Sequence, residues 1–330
     1  MRAMLALAPV AAFFVALLAA RLLLTPAGRR IALDTPNERS LHAQPVPRTG
    51  GIAIAAGVAV SCALAWPGLP VILAAAAVLA AVSFADDVAG LPTLIRLALH
   101  FGAAAAVLSL GLQVASPLLF VAFALALAWT ANLYNFMDGS DGLAGGMAVL
   151  GFGAYALAAY LFGAMPLAAL CASLAAASGA FLVFNWHPAR LFMGDVGSVP
   201  LGFLAGALGL QGWTLGAWPL WFPLLVFAPF MCDATLTLLK RALRREPVWR
   251  AHREHYYQRL VRMGFGHRST ATIEYAVMAA CAAVALAVRS AAPAVQAAAL
   301  AAAVVTLIAI AMWVDLRWAL FLRDSNGVAR

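Results

Sequence analysis

Apolar residues run along this chain in blocks of about 15 to 25, broken by short polar or Pro/Gly-containing connections. A run near 20 residues matches the length of helix that spans a bilayer, so the pattern predicts helices crossing a membrane rather than strands or amphipathic surface helices. The breaks define about eleven spans, near 4–24, 50–66, 70–85, 97–112, 117–134, 145–163, 165–184, 199–213, 217–239, 272–288 and 294–320. The third and eighth are short. No internal repeat and no linker divides the chain, which reads as one integral-membrane domain over 1–330. The first 24 residues are expected to stay as a helix: Arg21 precedes further apolar residues, and no small-residue cleavage site follows.

The connections alternate in character. Those at 67–70, 112–117, 164–166, 212–218 and 289–293 are short and carry one basic residue, Arg289. Those at 25–49, 86–96, 135–144, 185–198 and 240–271 hold nearly all the other Lys and Arg, with nine between Lys240 and Arg268. The positive-inside rule puts this second set in the cytoplasm, the N-terminus outside and the C-terminus inside.

Composition agrees. The 330 residues are 65% hydrophobic and 10% charged, against nearly half apolar and a quarter charged in soluble domains. The net charge of +8 reads as topology and attraction to anionic lipid, so no nucleic-acid partner is expected. The four cysteines stand singly in apolar runs and read as small hydrophobes.

The acids change the picture. Asp86, Asp87, Asp138, Asp141 and Asp195 are five of thirteen acidic residues and fall in three motifs, FADDVAGLP, NLYNFMDGSDGLAGG and LFMGDVGS. Each begins where a span meets the cytoplasm. An Asp at mid-bilayer costs about 2.5–3.5 kcal/mol, so the membrane edge is the cheaper place. Asn132 and Asn135 are helical i, i+3 neighbours, as are Asn135 and Asp138 if the helix continues. Gly139 and Gly142 weaken it, which predicts Asp141 on a turn beside Asp138. If the three loops converge, carboxylates share a cavity, and two like charges about 4 Å apart repel by roughly 4 kcal/mol at an effective dielectric of 20. A proton or a cation must offset that. Mg²⁺ suits an all-oxygen set and usually keeps coordination sites for substrate phosphates; Mn²⁺ could substitute. The basic stretch 240–268 on the same membrane side then suggests a phosphate-bearing substrate. Asp233, inside a span, is expected to make a structural ion pair or hydrogen bond, while His100 and His187 are read as interfacial.

These motifs resemble those of the polyprenyl-phosphate N-acetylhexosamine-1-phosphate transferase family, glycosyltransferase family 4, over about residues 34–270. DDVAGLP is similar to its Asp-Asp loop. NLYNFMDGSDGLAGG and NWHPARLFMGDVGSVPLG are similar to its second and third motifs, and HAQPVPRTGGIAI to its first cytoplasmic loop. The resemblance implies an all-α polytopic protein of the bacterial inner membrane. It implies transfer of a sugar 1-phosphate from a UDP-amino sugar to undecaprenyl phosphate, with release of UMP. By the same resemblance Asp195, with Asn135, would serve the metal; Asp86, Asp87, Asp138 and His255 would be catalytic. Asn132, Asp141, Asn185, Phe192, Arg48, Arg96, Arg253 and Arg259 would bind substrate. Where the peptidoglycan branch has three adjacent histidines, HREHYYQRL has His255 followed by tyrosines and glutamine. That favours the O-antigen-initiating branch of cell-envelope and lipopolysaccharide synthesis over the phospho-N-acetylmuramoyl-pentapeptide transferase step. Arg96 stands where the family often has lysine. A transporter, the rival class, predicts acids at span centres and two matching halves. The sugar is left open, and so is oligomeric state, a homodimer included.

Overall fold

The computed structural model describes residues 2–35, 44–65, 70–248, 250 and 252–327. The first two residues of HAQPVPRTGG, most of the 67–70 connection, and Trp249 and Ala251 of the basic stretch lie outside the described residues. Thirteen α-helices are described: α1 (Arg2–Leu23), α2 (Gly50–Ala65), α3 (Val71–Ala89), α4 (Thr93–Ala106), α5 (Pro117–Phe136), α6 (Leu143–Phe162), α7 (Met165–Asn185), α8 (Asp195–Thr214), α9 (Trp221–Val226), α10 (Ala228–Leu243), α11 (Tyr256–Leu260), α12 (Gly266–Val288) and α13 (Pro293–Gly327). A two-residue antiparallel pair, β1 (Leu33–Asp34) and β2 (Val46–Pro47), is the described sheet. Eight helices among the described residues are long and apolar enough to cross a membrane, and α2 is a shorter apolar helix. The architecture is that of an all-α, multi-pass membrane protein.

Each predicted span falls on a helix, with three corrections. The span at 217–239 is two helices, α9 and α10, broken at Phe227. Pro229 lies in the first turn of α10, where its missing N–H would have no partner anyway. The polar connection at 86–96 is mostly helical, because α3 runs on through Asp86 and Asp87 and α4 starts at Thr93. Helix α5 ends at Phe136, so Asp138 lies beyond it rather than one turn along it.

The middle of the bundle is α6, α7 and α8, whose buried faces are largely Ala, Gly, Leu and Phe. α5 and α3 pack on α8, α1 packs on α2 and α7, and α12 on α6. α13 stays mostly exposed, with Val304, Val305, Ile308 and Leu316 outward. In water such a face would be a liability, whereas in lipid tails it is the expected surface.

One close approach positions the polar ends. A Cβ on Gly51 would sit 2.3 Å from the Gly197 backbone, and one on Gly197 2.7 Å from Gly51 Cα, so α2 and α8 cross backbone to backbone. Beside that crossing the chain 190–194 pairs like a strand with 47–51: Phe192 N–H donates to Pro47 O, Gly50 N–H to Phe192 O and Gly51 N–H to Met193 O, each 2.8 Å. Gly194 then turns with φ of +72°, and a Cβ there would meet Arg48 O at 2.3 Å. Arg48 and Asp195 are thereby fixed on neighbouring segments from distant parts of the chain.

Candidate active site

The ends of α3, α4, α5 and α8 enclose a cavity of about 120 Å³. Its polar lining includes Asp86, Arg96, His100, Asn132, Asn135 and Asp195, and its apolar wall includes Leu79, Leu97 and Phe136. Four predicted site residues from three separate motifs, and Arg96, therefore meet in one small space. Asp86 accepts from the Leu91 N–H and pairs with Arg96 Nη1 at 2.7 Å. The same guanidinium nitrogen lies 3.8 Å from Asp195 Oδ2. One cation thus sits between two carboxylates. Asn135 donates to Asp195 Oδ2 at 3.3 Å and accepts from Ser198 Oγ at 2.9 Å. Asn132 donates to the Ala128 carbonyl at 2.7 Å and lies 3.1 Å from His100 Nδ1.

Asp87 follows Asp86 on α3 and is not among the residues that line the cavity. Its Oδ1 pairs with Arg48 Nη1 at 3.3 Å, Arg48 also donates to the Asp87 carbonyl, and its Oδ2 accepts from the Val196 N–H at 3.3 Å. Asp138, in the connection after α5, completes the acidic group. Withdrawal from solvent, then the neighbouring Asp195, Asp87 and Asp34, push its carboxyl well above the usual carboxylate range. Holding these groups ionised together requires added positive charge.

The residues fit a divalent cation in one respect and not another. The donors are all oxygen, and Asp86 and Asp195 face one cavity with Arg96 as their shared counter-charge. Mg²⁺ is commonly held by one or two carboxylates plus substrate phosphates and waters, and this pair suits that mode. Among the described residues, no three His, Cys, Asp or Glu side chains converge into a ready cage. Asn135 donates its amide N–H to Asp195 and accepts from Ser198 on one lone pair of its amide oxygen, which leaves the other lone pair for a ligand.

A second group lies beyond the 139–142 turn. Asp141 Oδ2 is 2.7 Å from His187 Nδ1 and accepts the Ala189 N–H at 3.1 Å. Asn185 Oδ1 accepts from the Gly142 N–H, and its Nδ2 donates to Leu191 O, both at 2.9 Å. Phe192 is on the strand-like segment that leads to Asp195. The Asp141 turn and Asn185 thus adjoin one another.

The third group stands apart from the cavity lining. His255 is 4% exposed, and its Nδ1 is 2.9 Å from Asp233 Oδ1. Its ring stacks on Phe136 and Tyr257. Asp233 also accepts the Tyr256 and Tyr257 N–H groups at 3.0 Å, so it caps the start of α11. Phe136 belongs to the cavity wall, and His255 lies behind its ring, outside the residues lining the cavity. Arg259 likewise is 5% exposed and pairs with Asp315 of α13 at 2.8 Å, its guanidinium over the Tyr256 ring. It holds α11 to α13 and does not reach the acidic cavity. Arg253 is half-buried on the loop before α11, away from the cavity lining.

Sequence reasoning passed over Ser198 and His267, and it read His100 as interfacial where the structure puts it in the cavity lining. Ser198 stands three residues after Asp195 in MGDVGS, on the helical spacing that brings it to Asn135, so a signal was there to be used. His100 lies on α4, one helical turn beyond Arg96. His267 had no local signal, because Ser140 and Asp141, which it meets, are more than 120 residues away.

The match to known proteins follows these motifs. The model of glycosyl transferase family 4 covers residues 69–212, the stretch that supplies Asp86 to Ser198. A Bacillus subtilis protein described as a probable undecaprenyl-phosphate N-acetylglucosaminyl 1-phosphate transferase is 30% identical over 292 residues, 81% of each chain. The chain belongs to glycosyl transferase family 4. A Mycolicibacterium smegmatis decaprenyl-phosphate N-acetylglucosaminephosphotransferase is 29% identical, covering 74% of this chain and 72% of its own. A Geobacillus phospho-N-acetylmuramoyl-pentapeptide-transferase is 50% identical, but over only 22% of each chain. The polyprenyl-phosphate hexosamine-1-phosphate transferase family that the motifs resemble is thus the chain's own.

Proposed function

We propose that this family member transfers an N-acetylhexosamine 1-phosphate from a UDP-sugar to undecaprenyl phosphate, releasing UMP and starting a lipid-linked glycan. The observation that carries this is the convergence of Asp86, Asp195, Asn132, Asn135 and Arg96 on one cavity. The printed activities of the Bacillus and Mycolicibacterium relatives support N-acetylglucosamine as the first sugar to test. O-antigen is one glycan such a product could begin.

An oxygen of the lipid phosphate attacks the sugar-bearing phosphorus of the donor, a P–O bond forms, and the bond to the UMP oxygen breaks. With a second pKa near 6, that phosphate is largely ready as a nucleophile at pH 7. The chain's task is positioning and charge neutralisation. A divalent cation, Mg²⁺ in the first instance, supplies neutralisation of diphosphate charge when held by Asp195 and Asp86. Arg96 brings fixed positive charge to the cavity, Arg48 brings it to Asp87, and Asn135 keeps Asp195 aimed. Asp87 orients the acceptor through Arg48 or takes a proton. Asp141 and Asn185 lie on the nucleotide side. The basic connections face the cytoplasm of the inner membrane, with the N-terminus periplasmic.

The test is UMP release by detergent-purified protein given undecaprenyl phosphate and a panel of UDP-amino sugars, with and without Mg²⁺. Lipid- and metal-dependent release with one sugar supports the proposal and names the donor. Release without lipid phosphate, or none from folded protein with any sugar, would sink it.

A further inference from the structure

The 139–142 turn that carries Asp141 is poor in bonds of its own. Two glycines flank Ser140 and Asp141, and Gly142 takes a φ of +78°. Within the turn, Leu143 N–H donates to Ser140 O at 3.2 Å. Gly146 N–H, at the start of α6, donates to Gly142 O at 2.9 Å, and further anchors come from distant chain. Gly142 N–H goes to Asn185, and the Tyr275 hydroxyl donates to Gly142 O at 2.6 Å. His267 Nδ1 lies 2.9 Å from Ser140 Oγ and 3.4 Å from the Asp141 backbone N. His267 and Tyr275 both belong to α12, which presses on α6 so closely that a Cβ on Gly146 would fall 2.0 Å from the Tyr275 ring.

The contact fixes the chemistry of the ring. A backbone N–H only donates, so His267 Nδ1 must present its lone pair to Asp141, and the ring proton sits on Nε2. The face of the same imidazole stacks on His187, with centroids 5.3 Å apart and planes 11° apart. His187 Nδ1 in turn meets Asp141 Oδ2. One ring of α12 therefore touches Asp141 from two directions: through its backbone, and through the histidine that holds its carboxylate.

From this we infer that His267 is a positioning residue for the nucleotide half of the donor, setting where the Asp141 carboxylate stands without touching the reacting atoms. The inference rests on the proposed transferase function, in which Asp141 and Asn185 lie on the nucleotide side. It goes beyond it, since it assigns a donor-affinity role to the start of α12, within a stretch whose positive charge suggested phosphate binding instead. The acidic cavity is served by other anchors, Asn135, Ser198 and Arg96, so loosening the turn acts on donor binding and not on the lipid phosphate.

The experiment measures kcat and separate KM values for UDP-N-acetylglucosamine and undecaprenyl phosphate in His267→Ala, His267→Asn and His267→Gln, with UMP product inhibition alongside. Loss of a hydrogen-bonded anchor of this kind is worth about 1–1.5 kcal/mol, which is roughly a tenfold change. His267→Ala should raise the donor KM and the UMP inhibition constant about tenfold. The kcat and the lipid KM should stay within about twofold. Asn carries its amide oxygen about where Nδ1 lies, so His267→Asn should recover most of the donor affinity, while Gln, which matches Nε2 instead, should not. A fall in kcat with both KM values unmoved overturns the inference. So does an equal rise in both KM values, or an Asn variant as weak as Ala. If the unaltered protein neither turns over nor is stabilised thermally by UDP or UMP, the transferase reading itself fails and takes this inference with it. Normal turnover with an insensitive donor KM in His267→Ala removes this inference alone.

Discussion

The acidic cavity and the basic segment 240–271 look complementary in the sequence, yet they are built on opposite plans. In the cavity, charge is left partly open: Asp86 and Asp195 share one guanidinium, and both line the same space. In the basic segment part of the charge is closed on itself. Arg241 and Arg244 pair with Glu246 and Glu254, and Lys240 and Arg259 pair with Asp315 of α13. Asp233 binds His255 and caps α11. A cation already paired and buried is not available to a phosphate, whatever its count in the sequence. Local charge density is therefore a poor guide to a site, and incomplete pairing around a cavity is a better one.

The difference can be tested by breaking each region. Asp195→Asn should give the largest effect, a loss of turnover of about 10²–10³-fold with an unchanged unfolding temperature, since it removes charge from the open cluster. Near-normal turnover would deny Asp195 its place in the site. Gly197→Val should come next. It thrusts a branched side chain into the α2–α8 crossing, where even a Cβ is 2.5 Å from the Met193 side chain and 2.7 Å from Gly51. Both folding yield and activity should fall together, by about 2 kcal/mol or more in stability. Asp233→Ala leaves a buried histidine and two backbone N–H groups without their acceptor, so thermal unfolding in detergent should shift down by an amount equivalent to about 2–4 kcal/mol. Arg259→Ala belongs to the closed region and should lower stability by about 1–3 kcal/mol while leaving both KM values in place. An increased lipid KM in that variant would blur the contrast and return Arg259 to the substrate site.

The smallest expected effect is in pH. Burial, then the neighbouring His255 and Arg241, hold the His252 imidazole down at about 4. In the unfolded chain it titrates near about 6.5, so the unfolded state takes up the proton more readily. The stability tied to neutral His252 is fully present above about pH 6.5 and is lost as pH falls towards about 4. His252→Gln should reduce the drop in unfolding temperature between these pH values by about a few degrees. An equal drop in variant and parent would remove His252 from that account.

Much of this molecule was legible in one dimension. Helix positions followed from runs of apolar residues near bilayer length, because a backbone in lipid must satisfy its own hydrogen bonds. Asp86, Asn132, Asn135 and Asp195 stood out because charge and amide groups are rare in such runs. Less legible were the end of α5 before Asp138 and the break at Phe227, where single turns decide the geometry. Least legible were the burial of His255 and Arg259, since their partners Asp233 and Asp315 lie in other helices.

The sequence by itself determined that this chain is a bundle of membrane helices, with its acidic motifs at span ends, and to which family it belongs. Those features depend on local composition and spacing, which every segment carries wherever it packs. Only the tertiary structure decided which polar groups meet: Arg96 between Asp86 and Asp195, Asp233 beneath His255, and His267 against the Asp141 turn. Pairing is a property of distance between segments remote in the chain, and Coulomb energy and hydrogen bonding are settled within a few ångströms.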